Sequence, residues 1–149
     1  RHYDKWMATS AEFQAGAGFY FERGSSNLAA FSLHQASEHL YHCLLLVVTL
    51  YSGKAHNLAF LRKKAEAIDA SLTEAWPRET KFERRCFELL REAYVKARYS
   101  EHFRITDEEL AWVSDRVIVL RTLTEQACQT RLAELQAATS HRSPPRDID

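Results

Sequence analysis

Arginine and histidine stand close together in one stretch, Tyr94-Val95-Lys96-Ala97-Arg98-Tyr99-Ser100-Glu101-His102-Phe103. A guanidinium holds phosphate oxygens in pairs and an imidazole titrates near neutral pH, so Arg98 and His102 together suit a phosphate ligand. Cleavage of RNA by 2′-hydroxyl attack needs the same two kinds of group, a base or acid and a cation for the developing charge. Arg98 is also the last of Arg84, Arg91 and Arg98, whose spacing of seven lines them along one helix edge. The competing reading is a seam of salt bridges with Glu38, Glu88 or Glu101.

A second cluster is His34-Gln35-Ala36-Ser37-Glu38-His39 with Tyr41-His42. His34, Glu38 and His42 recur every four residues and share a helix face. Such a face can present metal ligands, but the di-metal signature of helical bundles is Glu-x-x-His repeated on facing helices. Here Glu38 and His42 are four apart with no second copy, so a polar seam at a helix or subunit contact is favoured. No metal and no other cofactor is expected. His56-Asn57 stands before a helical pattern, and Asn57 reads as its cap rather than His56 as a ligand.

These groups must be positioned by helices. The chain has 149 residues, 46% of them apolar, with only four Gly and three Pro. That is enough to build one core and too few turn residues for a β-rich fold. Helical periodicity places a first helix over about Tyr3–Arg23, closed by Gly24, with Ser25-Ser26-Asn27 capping the next. The second runs from about Leu28 to Tyr51 and is apolar almost all round in its second half, which suits the middle of a bundle. Ser52-Gly53-Lys54 ends it. A third spans about Asn57–Leu72, broken at Trp76-Pro77, and a fourth about Glu79–Tyr99. Thr106 with Glu109 forms a capping box that opens a fifth helix over about Asp107–Leu135. The fold class is therefore all-α, an up-and-down antiparallel bundle of four to five helices over residues 1–138. Residues 139–149 are expected to form a disordered tail.

Twenty basic and twenty acidic residues cancel, which argues against a general polyanion binder. The longest apolar run, Cys43–Tyr51, is nine residues, far short of the roughly 20 a membrane helix needs, so no membrane partner is expected. Cys43, Cys86 and Cys128 are distant from one another and lie in apolar patterns. They read as buried free thiols in a reducing, cytoplasmic setting. The chain opens on Arg1 with the helical pattern running by Trp6, as expected of the inner part of a longer polypeptide.

The string Ala30-Phe31-Ser32-Leu33-His34-Gln35-Ala36-Ser37-Glu38-His39-Leu40-Tyr41, then His56-Asn57-Leu58 with Leu61-Arg62, then Ala97-Arg98-Tyr99, resembles the HEPN domain in composition and order. The resemblance runs from about Trp6 to Leu132. Trp76-Pro77-Arg78 and Tyr94 through Ser100 resemble one bacterial branch, in which the domain follows a nucleotidyltransferase domain in the same polypeptide. The resemblance implies a bundle that dimerises and a link to nucleotides or RNA, in some members as toxin–antitoxin systems. It also implies, for ribonuclease members, an Arg followed after four to six residues by His. Here three residues separate Arg98 from His102, and Phe103 stands where some toxin members have Tyr. The first expectation is therefore an accessory domain that binds nucleotide or RNA through a polar cleft of Arg91, Arg98, Tyr99 and His102, with Glu38 and His34 nearby. A metal-independent ribonuclease using Arg98 and His102 is the alternative, and a purely structural dimerisation bundle the third reading. Homodimerisation is expected through the second and fourth helices, whose apolar positions exceed what one interior can use.

Overall fold

Helix boundaries fall where side chains or turns can satisfy the unpaired N–H and C=O groups at helix ends. The computed structural model describes residues 2–49 and 56–140, and among them every regular element is helical. In order these are α1 (His2–Glu22), α2 (Ser26–Thr49), α3 (Leu58–Ile68), a short 3₁₀ helix (Ala70–Ala75), α4 (Lys81–Tyr99) and α5 (Asp107–Ser140). Gly24, at φ 75°, turns the chain out of α1. The Ser25 N–H reaches back to Tyr20 O at 2.9 Å and the Gly24 N–H to Phe21 O at 3.0 Å, the pairing of a Schellman closure.

Asn57 Oδ1 accepts from the Phe60 N–H and caps α3, as its sequence position predicts. The third helix stops at Ile68 rather than Leu72. Asp69 is extended, and its carboxylate accepts from the Ser71 N–H, restarting the chain as the 3₁₀ helix. Two capping boxes follow: Thr80 with Glu83 opens α4, and Thr106 with Glu109 opens α5. α5 runs on to Ser140, so residues 139 and 140 of the expected tail are helical, while 141–149 lie outside the described residues. Leu50, Tyr51 and the Ser52-Gly53-Lys54 stop also lie outside them.

The bundle is built around α2, which packs against α1, α3, α4 and α5 and buries 15 of its 24 residues. Most of its apolar positions therefore have partners within one chain, while Leu28 stays exposed. α4 keeps Val95 and Tyr99 outward. The three cysteines are buried and free. Trp76 and Tyr41 are both fully buried, and the indole N–H donates to the Tyr41 hydroxyl at 2.9 Å. Among the described residues no helix is long and apolar enough to cross a membrane.

Candidate functional site

The polar face of α2 is buried, so each group on it needs a partner. Glu38 finds one across the bundle: its Oε1 accepts from His56 Nδ1 at 2.7 Å. This contact joins the middle of α2 to the residues just before α3. Gln35 Nε2 lies 3.4 Å from Glu38 Oε2 and 3.3 Å from His34 Nδ1. An amide NH₂ has only protons to offer, so His34 Nδ1 is an acceptor and its proton sits on Nε2. That nitrogen has no hydrogen-bond partner among the described residues.

His34 also lies 3.6 Å from Glu38, a distance that would suit an ion pair. It is nonetheless neutral. Burial lowers its pKa from 6.5 to about 4, the electrostatic influence of His56 and Arg98 pushes the same way, and only the His56 backbone pulls it up. His42, the third member of the four-residue series, packs its ring beside Trp6 instead. Among the described residues, no group of three or more His, Cys, Asp or Glu is placed to hold a metal ion.

Above this buried array lies Tyr94 of α4. Its ring stacks on His56 at 4.7 Å and 9°, and sits 5.3 Å from His34. One turn further, Arg98 folds back on its own helix, where Nε and Nη2 donate to Tyr94 O at 3.0 and 2.7 Å. The guanidinium carbon lies 4.4 Å from the Phe31 ring centre, 4.9 Å from that of Tyr99 and 5.0 Å from that of Tyr94. One edge of the fork is thus fixed on a carbonyl and the plane is held among three rings. The opposite edge, formed by Nη1 and the second Nη2 proton, has no hydrogen-bond or ion-pair partner among the described residues.

Among the described residues Arg98 makes no ion pair, so the salt-bridge seam is not formed there. Glu38 is taken by His56, and Glu88 by Arg91 at 2.8 Å. Arg84, the first of the arginine series, donates to Arg78 O.

The expected cleft of Arg91, Arg98, Tyr99 and His102 is not assembled. α4 ends at Tyr99, Ser100 is extended, and the chain leaves the helix before His102. His102 then lines a shallow hollow with Arg85, Leu89, Glu92, Lys96 and Arg104. Arg98 is not part of it, because Lys96 and Arg98 point about 200° apart around the helix. Arg91 is held between Glu88 and Glu92, and Tyr99 is exposed against Arg98. The structure thus brings together His34, Glu38 and Arg98, and separates His102 and Arg91 from them.

The sequence assigns no role to Tyr94 or Phe31, and favours the Asn57 cap over a ligand role for His56. Tyr94 was visible as the residue one turn before Arg98. His56 had only its cap neighbour to mark it, since its partner Glu38 is 18 positions away.

A larger hollow of about 650 Å³ lies between α3 and α4, lined by Arg62, Lys63, Arg78 and Arg84 together with Glu66, Glu83 and Glu88. It is less suited to an anion. Arg62 is tied to Glu66 and to Trp76 O, and three carboxylates face its four cations.

The family model of the HEPN domain matches residues 3–126, most of the chain, and the chain belongs to that family. No curated protein matches it. Membership gives the domain a general nucleotide- or RNA-related role, accessory or ribonuclease-like.

Proposed function

We propose that this HEPN-domain chain is an accessory module that binds a nucleotide or RNA, with the ligand's phosphate on Arg98. The observation that carries the reading is the state of that side chain. It is exposed, fixed on Tyr94 O, caged by Phe31, Tyr94 and Tyr99, and without a carboxylate partner among the described residues. A cation held in one orientation with one edge open loses little on binding a phosphate. The neighbouring rings offer flat faces for a base or ribose.

Net charge is zero, so no long-range field draws RNA in, and the interaction is weak. The finer assignment keeps the nucleotidyltransferase domain upstream in the same polypeptide as partner, in a cytoplasmic, toxin–antitoxin-like setting. It rests on the resemblance of the Trp76–Arg78 and Tyr94–Ser100 stretches. Homodimerisation belongs to the same proposal, with the outward Val95 and Tyr99 of α4 as its apolar contribution.

Cleavage by an Arg98–His102 pair is not favoured. Arg98 lies on α4 and folds back onto Tyr94 O, whereas His102 follows the extended Ser100 and lines a separate hollow beside Lys96, so the two do not line one pocket.

The test is fluorescence anisotropy with a short labelled single-stranded RNA. Arg98→Ala weakens binding about tenfold, the effect of one lost charge-assisted contact. Arg98→Lys recovers only part of it, because an ammonium cannot present the fork. His102→Ala leaves binding unchanged. Equal affinity of the parent and Arg98→Ala would overturn the proposal.

A further inference from the structure

Among the described residues of this cluster, His56 is the one ring that is oriented from below by a carboxylate and exposed above. Its side chain is half exposed, whereas Glu38 beneath it is buried. The 2.7 Å contact to Glu38 Oε1 places a proton on Nδ1, since a carboxylate only accepts. Nε2 is therefore the nitrogen that can face a ligand, and stacking on Tyr94 fixes the ring plane.

Arg98 and His56 come from different elements but share Tyr94. The guanidinium carbon lies 5.0 Å and the imidazole centre 4.7 Å from the same ring centre, so their separation cannot exceed the sum of the two, 9.7 Å. A phosphate hydrogen-bonded to both would hold those centres roughly 7–9 Å apart, given N–H···O distances of about 2.8 Å. His34, the other imidazole here, is neutral and closed off beneath Tyr94, and leaves the role to His56.

We infer that His56, oriented by Glu38, is a second phosphate contact beside Arg98, and that the site takes a terminal phosphate monoester rather than an internal phosphodiester. The inference rests on the phosphate reading of Arg98 proposed above. The reason is charge and acceptor strength. An internal diester has two non-bridging oxygens sharing one negative charge, whereas a terminal monoester has three oxygens and up to two charges, and so offers two donors on different elements the stronger acceptor. In the bound state both His56 nitrogens donate, one to Glu38 and one to the phosphate, and the cation lies between two anions. The ligand class is thus a nucleotide, or an RNA strand ending in phosphate.

The experiment is competition against a labelled RNA by three hexanucleotides of one sequence, ending in a 5′-phosphate, a 3′-phosphate, or hydroxyls only. At least one phosphate-ended strand competes about tenfold better than the hydroxyl-ended one, the value of one charge-assisted hydrogen bond. Which strand it is identifies the end recognised. His56→Ala brings the three to equality, and so does His56→Gln, whose amide N–H can still serve the buried Glu38. Arg98→Ala weakens all three.

Equal competition by all three strands in the parent, or a preference that persists in His56→Ala, overturns this inference while Arg98-dependent binding still stands. Failure of every strand and of inorganic phosphate to bind overturns the reading of Arg98 and this inference with it.

Discussion

Acidification should destabilise the protein through His34. This imidazole is fully buried beneath Tyr94, with its pKa lowered to about 4 from an ordinary 6.5, chiefly by burial and then by the electrostatic influence of His56 and Arg98. As pH falls below 6.5 the unfolded chain takes up a proton at this residue and the folded chain does not, so stability is lost. The loss levels off near pH 4, where the folded form is protonated too. Proton linkage between these values gives a loss of about 2 kcal/mol from pH 7 to pH 5 at this one side chain. His34→Gln keeps a neutral polar side chain of similar size and does not titrate. Urea unfolding followed by helical circular dichroism, at pH 7 and pH 5, measures the difference. The parent should lose about 2 kcal/mol more than the variant over that interval. Equal losses would show that His34 keeps its proton in the fold and pairs with Glu38 across their 3.6 Å gap, refuting the neutral assignment.

Tyr41→Phe leaves the buried Trp76 N–H without its acceptor, and should cost roughly 1–3 kcal/mol in urea unfolding. Thr80→Ala removes the side-chain half of the α4 capping box, and should cost about 1 kcal/mol by the same measurement. Mixed RNA incubated with the purified protein should stay intact on a denaturing gel. Robust cleavage lost in both Arg98→Ala and His102→Ala would restore the ribonuclease reading.

What the sequence made legible was local. The capping box at Thr106, the Asn57 cap, the Gly24 closure and the central position of α2 are all set by residues within a turn or two of one another. The central helix also shows where the apolar surplus of α2 goes. A periodicity argument counts apolar positions but does not know how many neighbours a helix will have, and α2 has four. Arg98 was legible by type and position. Its pairing with His102 was not, because that depended on whether the helix continued past Tyr99, and the extended Ser100 ends it. On α5 the buried face runs through Val113, Val117, Leu120, Thr124 and Cys128. Thr124, a polar residue, is buried, while Leu123 is only partly so. The Glu38–His56 contact could not be read, since it exists only once α2 and the start of α3 are folded together.

The central claim is that ligand phosphate sits on the Arg98 face rather than in either hollow flanking α4. Titration of the ¹⁵N-labelled protein with a nucleoside monophosphate, followed by amide and arginine side-chain NMR, tests it most directly. The account predicts the largest shifts at the Arg98 Nε–H and at the amides of Tyr94, Tyr99 and His56, with those at His102, Lys63 and Arg84 nearly still. Shifts concentrated at Arg62, Lys63, Arg78 and Arg84, or around His102, would contradict it.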